Sequence, residues 1–461
     1  MTAGAPTLDE WIDVQWGRAA SGMLMSVSPV GLVKRRPGFG QSVHPRRGAI
    51  VASPVLADWD PDPDYFFHWF RDSALVVDAL RRLFESGSLK REALGHLADF
   101  IRFSGALSHL DGRLTAASRV WREAVAPQFV RFLRTDAELA TVFGEAVVAE
   151  TRVNADGTLD FSSWTRPQHD GAALRALALM RWSPHVDAAE RQGQPDFPPA
   201  GRPKLSEDLA QLVRADLAFT FAHWREPCFD IWEEEQGLHY FTLCVSAAAL
   251  EEGARWLALR DERSLAHSYG CEAQAIRKQL EEFWLAEAGY FRSRVLSSGT
   301  RSNKELDIAV ILAGIHAGGE GALHTVHDRR MHATLRQLES LFDATYPINH
   351  ARPAERAPAM GRYPGDVYFS GGAYYFATLG AAEFCFLAAA GAVDAADAVE
   401  WIERGERYLR TVRAFTPSDG QLSEQFDQRT GKQTSARHLA WSYAAFISCI
   451  CARRTALARV T

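Results

Sequence analysis

The sequence predicts an all-α protein, an (α/α)6 barrel with six inner and six outer helices in a single domain. Strand signals are sparse along the 461 residues, whereas segments with helical hydrophobic periodicity are many. These segments are of two kinds, one apolar nearly all round and one with a single apolar stripe, and the two kinds alternate along the chain. A helix that is apolar all round is buried, and a helix with one stripe covers it. Alternating inner and outer helices that pack as antiparallel neighbours close into a ring of hairpins.

The segments that are apolar nearly all round are rich in alanine and predict the inner helices. They begin at Asp72, Asp170, Phe241, Glu305, Gly371 and Ser435. The amphipathic segments predict the outer helices and contain REALGHLADF, SEDLAQLVRADL, ERSLAHSYGCEA, DRRMHATLRQL and AADAVEWIERG. The N-terminal segment TLDEWIDVQWGRAASGML supplies the remaining outer helix.

We expect the chain to have two parts: residues 1–50 as an N-terminal extension that packs on the barrel, and residues 51–461 as the barrel domain. Region 24–60 is rich in Pro, Gly and Val, which favours a segment that wraps the barrel or forms a short hairpin. The stretch RQGQPDFPPAGRPK, from Arg191, predicts a long surface loop and not a domain linker, because helical hairpins continue on both sides of it.

Composition and charge bear on partners and location. The formal net charge is −6 and the isoelectric point about 6.2, which gives no support for nucleic acid or an anionic membrane as a partner. The first residues carry neither the basic nor the apolar region of a signal peptide, and no apolar run approaches the roughly 18 residues of a membrane span. We therefore expect a cytoplasmic protein. The cysteines and histidines lack metal-ligand spacing, so we expect neither a metal nor another cofactor.

Aromatic and charged residues cluster in the loop before each inner helix, as in DYFFHWFRD, SSWTRPQHDG, FDIWEEEQG and GRYPGDVYFSGG. If the inner helices run parallel, these loops open at one end of the barrel and their side chains converge on one pocket. Aromatic faces suit the C–H face of a sugar ring, and carboxylate–arginine pairs suit vicinal hydroxyl groups. The candidate pocket residues are Tyr65, Trp69, Arg71, Asp72, Trp164, Arg166, Asp170, Trp232, Glu233, Glu234, Arg362, Tyr368 and Glu424.

Two well-separated loops supply the carboxyl groups that cleavage of a glycosidic bond requires, Glu233 in WEEE and Glu424 in LSEQF. One carboxyl donates a proton to the leaving oxygen, and the other is ionised and activates water or attacks the sugar. Burial beside Trp232 and next to another carboxylate favours the protonated form that a general acid needs. The polar loop around Glu424 favours an ionised base.

These motifs resemble those of the glucoamylases of glycoside hydrolase family 15. The resemblance runs in the family's order from PDPDYFFHWFRD through WTRPQHDG, FDIWEEEQG and GRYPGDVYFSGG to LSEQFDQRTG and LAWSYAA, over roughly residues 50–455. It implies an (α/α)6 barrel and a hydrolase that acts at the non-reducing ends of α-glucans or maltooligosaccharides. It further implies that the reaction inverts the anomeric centre and releases β-D-glucose.

By the same resemblance, Glu233 corresponds to the general acid and Glu424 to the general base. Arg71 and Asp72 correspond to residues that bind hydroxyl groups of the terminal glucose. The other positions expected to bind the sugar, by resemblance or by their place in the loops, are Tyr65, Trp69, Trp164, Trp232, Glu234, Arg362, Tyr368 and Trp441. An inverting pair of carboxyl groups stands about 6.5–9.5 Å apart, which leaves room for a water molecule.

The sequence departs from the fungal pattern of this family near the expected leaving-group site. Gly372 and Tyr374 stand where the fungal enzymes have Asn and Trp, and Glu235 and Gln236 stand where they have an apolar residue and Asn. Neither a starch-binding domain nor a large N-terminal β-sandwich is visible. The linkage preference therefore stays open between α-1,4 bonds and two alternatives, an α-1,6-specific glucohydrolase and a trehalase.

Other classes and more ordinary roles also stay open. A polysaccharide lyase on the same barrel would release unsaturated sugars, which the paired glutamates disfavour, and a non-catalytic sugar-binding protein would not need Glu424. We expect Asp170 to cap its helix, Asp366 to orient the GRYP loop, and Glu235 to lie at the surface. Structural roles are expected for the histidines beside the motifs, His68, His169 and His239.

Overall fold

The computed structural model describes residues 6–58, 61–118, 120–193, 204–318 and 324–460. The α-helices are α1 (Leu8–Leu24), α2 (Phe70–Glu85), α3 (Arg91–Leu107), α4 (Gly112–Ala117), α5 (Val120–Glu123), α6 (Asp136–Ala140), α7 (Asp170–Arg191), α8 (Leu205–His223), α9 (Tyr240–Ala258), α10 (Arg263–Leu280), α11 (Ala309–His316), α12 (Arg329–Thr345), α13 (Pro347–His350), α14 (Tyr375–Ala390), α15 (Ala395–Phe415) and α16 (Ala440–Val460). The β-strands are β1 (Lys34–Arg36), β2 (Gln41–Val43), β3 (Phe67–Trp69), β4 (Arg152–Asn154), β5 (Cys228–Phe229), β6 (Gln236–His239), β7 (Trp284–Leu285), β8 (Tyr290–Phe291), β9 (Arg294–Leu296), β10 (Ala373–Tyr374), β11 (Gln425–Phe426) and β12 (Gln433–Thr434). Short 3-10 helices cover Pro37–Phe39, Pro127–Phe132, Gly144–Ala149 and Glu281–Phe283.

The predicted inner and outer segments all form helices. The inner segments form α2, α7, α9, α11, α14 and α16, and the outer segments form α1, α3, α8, α10, α12 and α15. Burial follows the predicted pattern, because α14 buries almost all of its side chains whereas α12 buries the single stripe of Met331, Thr334, Leu335, Leu338 and Phe342. None of the described helices, the apolar α14 included, has the length and hydropathy needed to cross a bilayer.

Short strands run directly into three of the inner helices and fix the loops that carry the sequence motifs. β3 leads into α2, β6 into α9 and β10 into α14. β3 pairs antiparallel with β4, β5 with β6, and β11 with both β10 and β12. The register places Trp69 opposite Arg152 and Tyr374 opposite Gln425. Because of its strand, the inner helix predicted from Gly371 begins at Tyr375.

The regions between the long helices agree only in part with what the sequence predicts. Region 24–60 contains a hairpin, one of its two predicted alternatives, in which β1 pairs with β2 and Lys34 lies opposite Val43. The surface loop predicted from Arg191 falls almost entirely on residues 194–203, which lie outside the described residues. Between α3 and α7 stand the short helices α4, α5 and α6, which were not predicted because they are too short to show a helical hydrophobic period.

The chain divides into two compact units. The first unit is Met25–Asp60 with Asp64–Ile276, and the second is Met1–Leu24 with Pro61–Pro63 and Arg277–Thr461. In the first unit α7 packs against α2, α8 and α9. In the second unit α14 packs against α11, α15 and α16, and α1 packs on α16. Each unit thus combines inner helices with helices that cover them, and a single domain over residues 51–461 stays a prediction.

Candidate active site

The loop between β5 and β6 carries the acidic triplet and is built around the buried carboxylate of Asp230. Asp230 Oδ1 accepts hydrogen bonds from the main-chain N–H of Trp232 at 2.8 Å and of Glu234 at 3.3 Å. Its Oδ2 accepts from Glu235 N at 3.1 Å, and its carbonyl accepts from Glu233 N at 2.9 Å. Aspartate side chains commonly close turns in this way. One residue therefore sets the backbone of all three glutamates.

Glu233 stands in this turn with a φ of 66°, in the left-handed region that non-glycine residues seldom occupy. Its Oε1 accepts hydrogen bonds from Trp69 Nε1 at 2.8 Å and from Arg71 Nη2 at 3.2 Å. Its Oε2 accepts from Trp164 Nε1. The side chain is 11% exposed. Donors from two other loops thus fix both oxygens of the candidate acid, and the unusual backbone conformation aims the carboxyl group at them.

The guanidinium of Arg71 also contacts two further buried carboxylates. Nη1 lies 3.2 Å from Asp170 Oδ2, and Nε lies 3.6 Å from Asp72 Oδ2. Nη1 donates to Gln168 Oε1 at 2.9 Å, and Gln168 Nε2 donates to the Asp230 carbonyl at 2.7 Å. The arginine, the carboxylates and the acidic loop therefore form one buried polar network.

This network changes the protonation of Asp72. Burial raises the pKa of Asp72 from 3.8 to about 6. The charge of Arg71 opposes the rise, whereas the carboxylates of Glu233 and Asp170 add to it. Asp72 can therefore gain or release a proton near pH 6.

Exposure within the triplet differs from the prediction. Glu234 is exposed, as a sugar-binding side chain can be, whereas Glu235 was expected at the surface and is half-buried. The reason is that Glu235 closes the loop at its base, where both its main-chain N–H and its carbonyl are hydrogen-bonded across the turn. Trp232 and Tyr65 are half-buried, and the Tyr65 ring lies 5.3 Å from the ring of Trp69.

In the second unit, predicted site residues gather around Asp366. Arg362 donates to both oxygens of Asp366, from Nε at 2.7 Å and from Nη2 at 2.6 Å. Tyr374 donates from its hydroxyl to Asp366 Oδ2 at 3.0 Å, and Tyr368 donates from its main-chain N–H to Oδ1 at 2.9 Å. Gln425 Nε2 donates to the Tyr374 hydroxyl at 2.8 Å. The prediction that Asp366 orients the GRYP loop is confirmed.

The candidate base Glu424, 9% exposed, is held by its own loop. Its Oε2 accepts a hydrogen bond from the hydroxyl of Ser435, which is itself buried and has a φ of 64°. The main-chain N–H of Glu424 donates to the carbonyl of Ala436 at 2.8 Å. Trp441, at the start of α16, stacks on Phe376 with 4.2 Å between ring centroids and 6° between planes.

Three residues that support the site were not singled out from the sequence. Asp230 could have been, because an aspartate side chain often accepts hydrogen bonds from the main-chain N–H groups that follow it in a loop. Gln168 and Ser435 could not, because Gln168 joins segments that are distant in sequence and Ser435 lies eleven positions from Glu424 without any regular spacing.

Two predicted positions have other roles than expected. Arg166, named as a pocket residue, pairs with the buried Glu150 at 2.7 Å. Asp170 does not cap α7, because the N-cap residue is His169, which makes no capping hydrogen bond through its side chain. Asp170 is instead the first residue of the helix, and its carboxylate is drawn to Arg71.

The histidines beside the motifs have structural contacts. His68 is fully buried and accepts a hydrogen bond at Nδ1 from Ile50 N at 3.0 Å, and burial lowers its pKa to about 3. Burial also lowers the pKa of His169 to about 4. His239 donates from Nε2 to the Cys228 carbonyl at 2.9 Å. Within the described ranges, no three His, Cys, Asp or Glu side chains are grouped so as to hold a metal ion.

Comparisons with known proteins match the chain to one family and to several relatives. The profile of the family described as glycosyl hydrolases family 15 matches residues 148–451. The chain is 27% identical to a protein named probable glucoamylase from Schizosaccharomyces pombe, over 96% of this chain and 91% of that protein. It is 25% identical to glucoamylase 1 of Rhizopus oryzae, over 96% of this chain and 71% of that protein.

The same relation is seen among solved structures. The chain is similar to the glycoside hydrolase family 15 glucoamylase from Hypocrea jecorina, with a TM-score of 0.75 and 25% identity, over 99% of this chain and 73% of that chain. A glucoamylase of Hormoconis resinae is similar with a TM-score of 0.72 and 26% identity, over 97% of this chain and 74% of that chain. These likenesses confirm the predicted fold class, an all-α (α/α)6 barrel.

Proposed function

The chain belongs to family 15 of the glycosyl hydrolases, and on this premise we propose that it is an inverting, exo-acting α-glucoside hydrolase of the glucoamylase type. It releases β-D-glucose from the non-reducing ends of α-glucans or maltooligosaccharides, and a single catalytic domain over residues 51–461 carries the activity. The observation that supports this most is the setting of Glu233, whose two oxygens accept hydrogen bonds from Trp69, Trp164 and Arg71. A carboxyl group held in one orientation suits proton transfer to a glycosidic oxygen.

In the proposed reaction Glu233 donates its proton to the oxygen of the scissile bond, and the bond between that oxygen and C1 breaks. Glu424 removes a proton from a water molecule, whose oxygen forms the new bond to C1 from the opposite face of the ring. The net reaction consumes one water, and the proton gained by Glu424 replaces the one lost by Glu233 after exchange with solvent. The two indole N–H groups and Arg71 stabilise the carboxylate that Glu233 becomes when it has donated its proton.

The sugar-binding part of the proposal rests on the polar network in the first unit. Arg71 and Asp72 bind hydroxyl groups of the terminal glucose, and the exposed Glu234 contacts the sugar near the cleavage point. The remaining residues proposed to contact the substrate are Tyr65, Trp69, Trp164, Trp232, Arg362, Tyr368 and Trp441.

Proton NMR of the first sugar released from maltooligosaccharide tests the proposal directly. We expect the β-anomer of glucose at the earliest time points, before mutarotation. α-Glucose appearing first would overturn the inverting assignment, and unsaturated sugars would point to a lyase. We expect Glu424→Gln to lower kcat by several orders of magnitude while it retains sugar binding. A variant with unchanged kcat would support a non-catalytic sugar-binding protein.

The linkage preference is proposed to be α-1,4, and one local feature makes its test necessary. A Cβ atom on Gly372 would lie 2.5 Å from Ser370 Oγ and 2.6 Å from the Phe426 carbonyl oxygen, so the asparagine of the fungal pattern does not fit here without a shift. Substrate contacts of the fungal pattern therefore cannot be assumed for this loop. Initial rates on maltose, maltoheptaose, isomaltose and trehalose decide the linkage preference. A rate on isomaltose or trehalose higher than that on the α-1,4-linked sugars would replace the α-1,4 assignment with that alternative.

A further inference from the structure

A buried arginine lies behind the two tryptophans that hold Glu233. The guanidinium carbon of Arg152 lies 3.8 Å from the ring centroid of Trp164, 4.0 Å from that of Phe67 and 4.8 Å from that of Trp69. Arg152 is 2% exposed. A planar guanidinium stacks on aromatic faces and adds a cation–π attraction. The three rings therefore enclose a cation that has almost no contact with solvent.

The position of Arg152 is fixed by its own contacts. It lies opposite Trp69 in the pairing of β3 with β4. Its Nε donates to Asp160 Oδ2 at 2.9 Å, and its Nη2 donates to Ser162 Oγ at 3.3 Å. Asp160 Oδ2 also accepts from Arg166 at 3.1 Å, so Arg152 shares its carboxylate with a second arginine.

Burying the charged side chain of Arg152 costs free energy, which indicates that the charge has a role at this position. Nη1 of Arg152 makes no hydrogen bond, and Arg152 shares the carboxylate of Asp160 with Arg166. The charge of Glu233 also attracts Arg152, but without direct contact. Burying a charge away from water costs several kcal/mol unless it is well paired. An apolar side chain of similar length would fill the space between the rings without that cost. The guanidinium therefore supplies something that packing alone does not.

We infer that Arg152 is a positioning residue for the general acid, acting through Trp69 and Trp164. Both indoles that stack on its guanidinium donate their ring N–H to Glu233, one to each carboxyl oxygen. The guanidinium plane fixes the tilt of both rings and so the direction of both hydrogen bonds. Arg152 itself makes no hydrogen bond or ion pair with Glu233, although the two charges attract each other. The inference rests on the proposed role of Glu233 and deepens it.

A positioning role for the acid predicts an effect that depends on the leaving group. Maltose needs a proton on its leaving oxygen, whereas α-D-glucosyl fluoride releases fluoride with little need of one. General-acid catalysis contributes about 10²–10⁴-fold to a rate. Misplacing the acid should therefore slow maltose hydrolysis far more than hydrolysis of the fluoride.

The experiment compares kcat/KM of wild type, Arg152→Met and Arg152→Lys on maltose and on α-D-glucosyl fluoride. We expect Arg152→Met to lower the maltose value by about 10²-fold and the fluoride value less than about 5-fold, since only part of the acid's contribution is lost. Arg152→Lys keeps the positive charge but lacks the planar guanidinium group. It should therefore also slow maltose hydrolysis more than hydrolysis of the fluoride. An equal fall on both substrates, or no fall on maltose, overturns the inference.

Arg175→Met is the matched control. Arg175 is a buried arginine of the same unit that pairs with Asp216 at 2.7 and 2.8 Å and does not contact Glu233 or its tryptophans. Its loss should lower Tm and leave the ratio of the two kcat/KM values unchanged. If Arg152→Met does not fold, as judged by circular dichroism, the lysine variant decides alone by the same criterion. A wild-type protein inactive on both substrates would instead refute the proposed function.

Discussion

Arg71 Nη2 lies 3.2 Å from Glu233 Oε1, so the candidate acid is in contact with a buried guanidinium. The same guanidinium lies 3.2 Å from Asp170 and 3.6 Å from Asp72. One cation therefore serves three carboxyl groups, and the geometry of its planar fork allows it to do so. A lysine has the charge but only a single terminal nitrogen.

Arg71→Lys should therefore separate charge from geometry. We expect kcat/KM on maltose to fall by about 10²-fold or more, because the ammonium group cannot hold the carboxyl groups of Glu233 and Asp72 together. Breaking a buried pair costs about 3–5 kcal/mol when the charge is removed, so the unfolding free energy should fall less for lysine than for Arg71→Met. Steady-state kinetics and urea denaturation measure the two effects. Full activity of the lysine variant would contradict the role of the fork.

Substitution of Asp230 should displace Glu233 by a second route, through the turn that carries it. Asp230→Ala removes the acceptors of three main-chain N–H groups, and an unsatisfied buried donor costs about 1–3 kcal/mol. We expect a lower Tm and a kcat on maltose reduced by about 10²-fold, because Glu233 loses the turn that holds its φ at 66°. Asp230→Asn keeps Oδ1 for two of the N–H groups and should be milder in both respects. An alanine variant with wild-type kcat would show that the turn does not position Glu233.

The long helices could be predicted from the sequence because burial leaves a regular pattern. The stripe on α12 recurs every three to four residues, and α14 is apolar on all sides, so their type and environment follow from composition and period. The short helices between α3 and α7 leave no such pattern. Nor do strands of two or three residues such as β10, whose formation depends on a partner that lies about fifty residues away in β11.

In the candidate site, too, some features could be predicted from the sequence and others could not. Glu233 and Glu424 could be named as the candidate acid and base because the chemistry of a glycosidic bond restricts the residue type and the motifs supply few candidates, and their catalytic roles stay predictions. The contacts that hold them could not be predicted, because Trp164 reaches Glu233, and Ser435 reaches Glu424, from parts of the chain with no regular spacing to them. The prediction that Glu235 lies at the surface was wrong, because the exposure of a glutamate in this stretch depends on how the loop turns, and Glu235 is half-buried.

The raised pKa of Asp72 predicts how the unfolding free energy of the protein changes with pH. Burial raises its pKa from 3.8 to about 6 in the folded state. Between about pH 4 and pH 6 the folded protein keeps a proton that the unfolded chain has released, so the unfolding free energy falls as pH rises through this window. Relative to wild type, Asp72→Asn should therefore gain stability between pH 4 and pH 7, by up to about 3 kcal/mol. Urea denaturation at four pH values measures the difference.

Asp78 on the same helix provides the control. Burial would raise its pKa, but the charges of Arg82, Arg181 and Arg81 lower it well below 3.8. A carboxyl group with a lowered pKa contributes stability that is lost only as the pH falls below about 4. The difference between Asp78→Asn and wild type should therefore be constant from pH 5 to pH 7. A constant difference for Asp72→Asn as well would show that Asp72 titrates normally.

Disrupting the ion pair between Arg362 and Asp366 should weaken substrate binding. Asp366→Asn replaces one oxygen of the bidentate contact with an amide nitrogen, which repels the donors that face it. Arg362, proposed to contact the sugar, then loses its orientation, and the Tyr374 hydroxyl loses its acceptor if the amide nitrogen faces it. We expect KM for maltose to rise more than kcat falls, with kcat/KM reduced by about 10-fold or more and stability reduced by about 3 kcal/mol.

A second ion pair in the same unit separates this effect from general destabilisation. Glu339 accepts from Arg404 Nη2 at 2.6 Å and from the Tyr408 hydroxyl at 2.5 Å, and it is not among the candidate site residues. Glu339→Gln should lower Tm and leave KM and kcat unchanged, because its partners lie on helices and not on the GRYP loop. If both variants changed KM equally, the effect of Asp366 would be one of stability. If Asp366→Asn kept the wild-type KM, Arg362 would not depend on its partner for sugar binding.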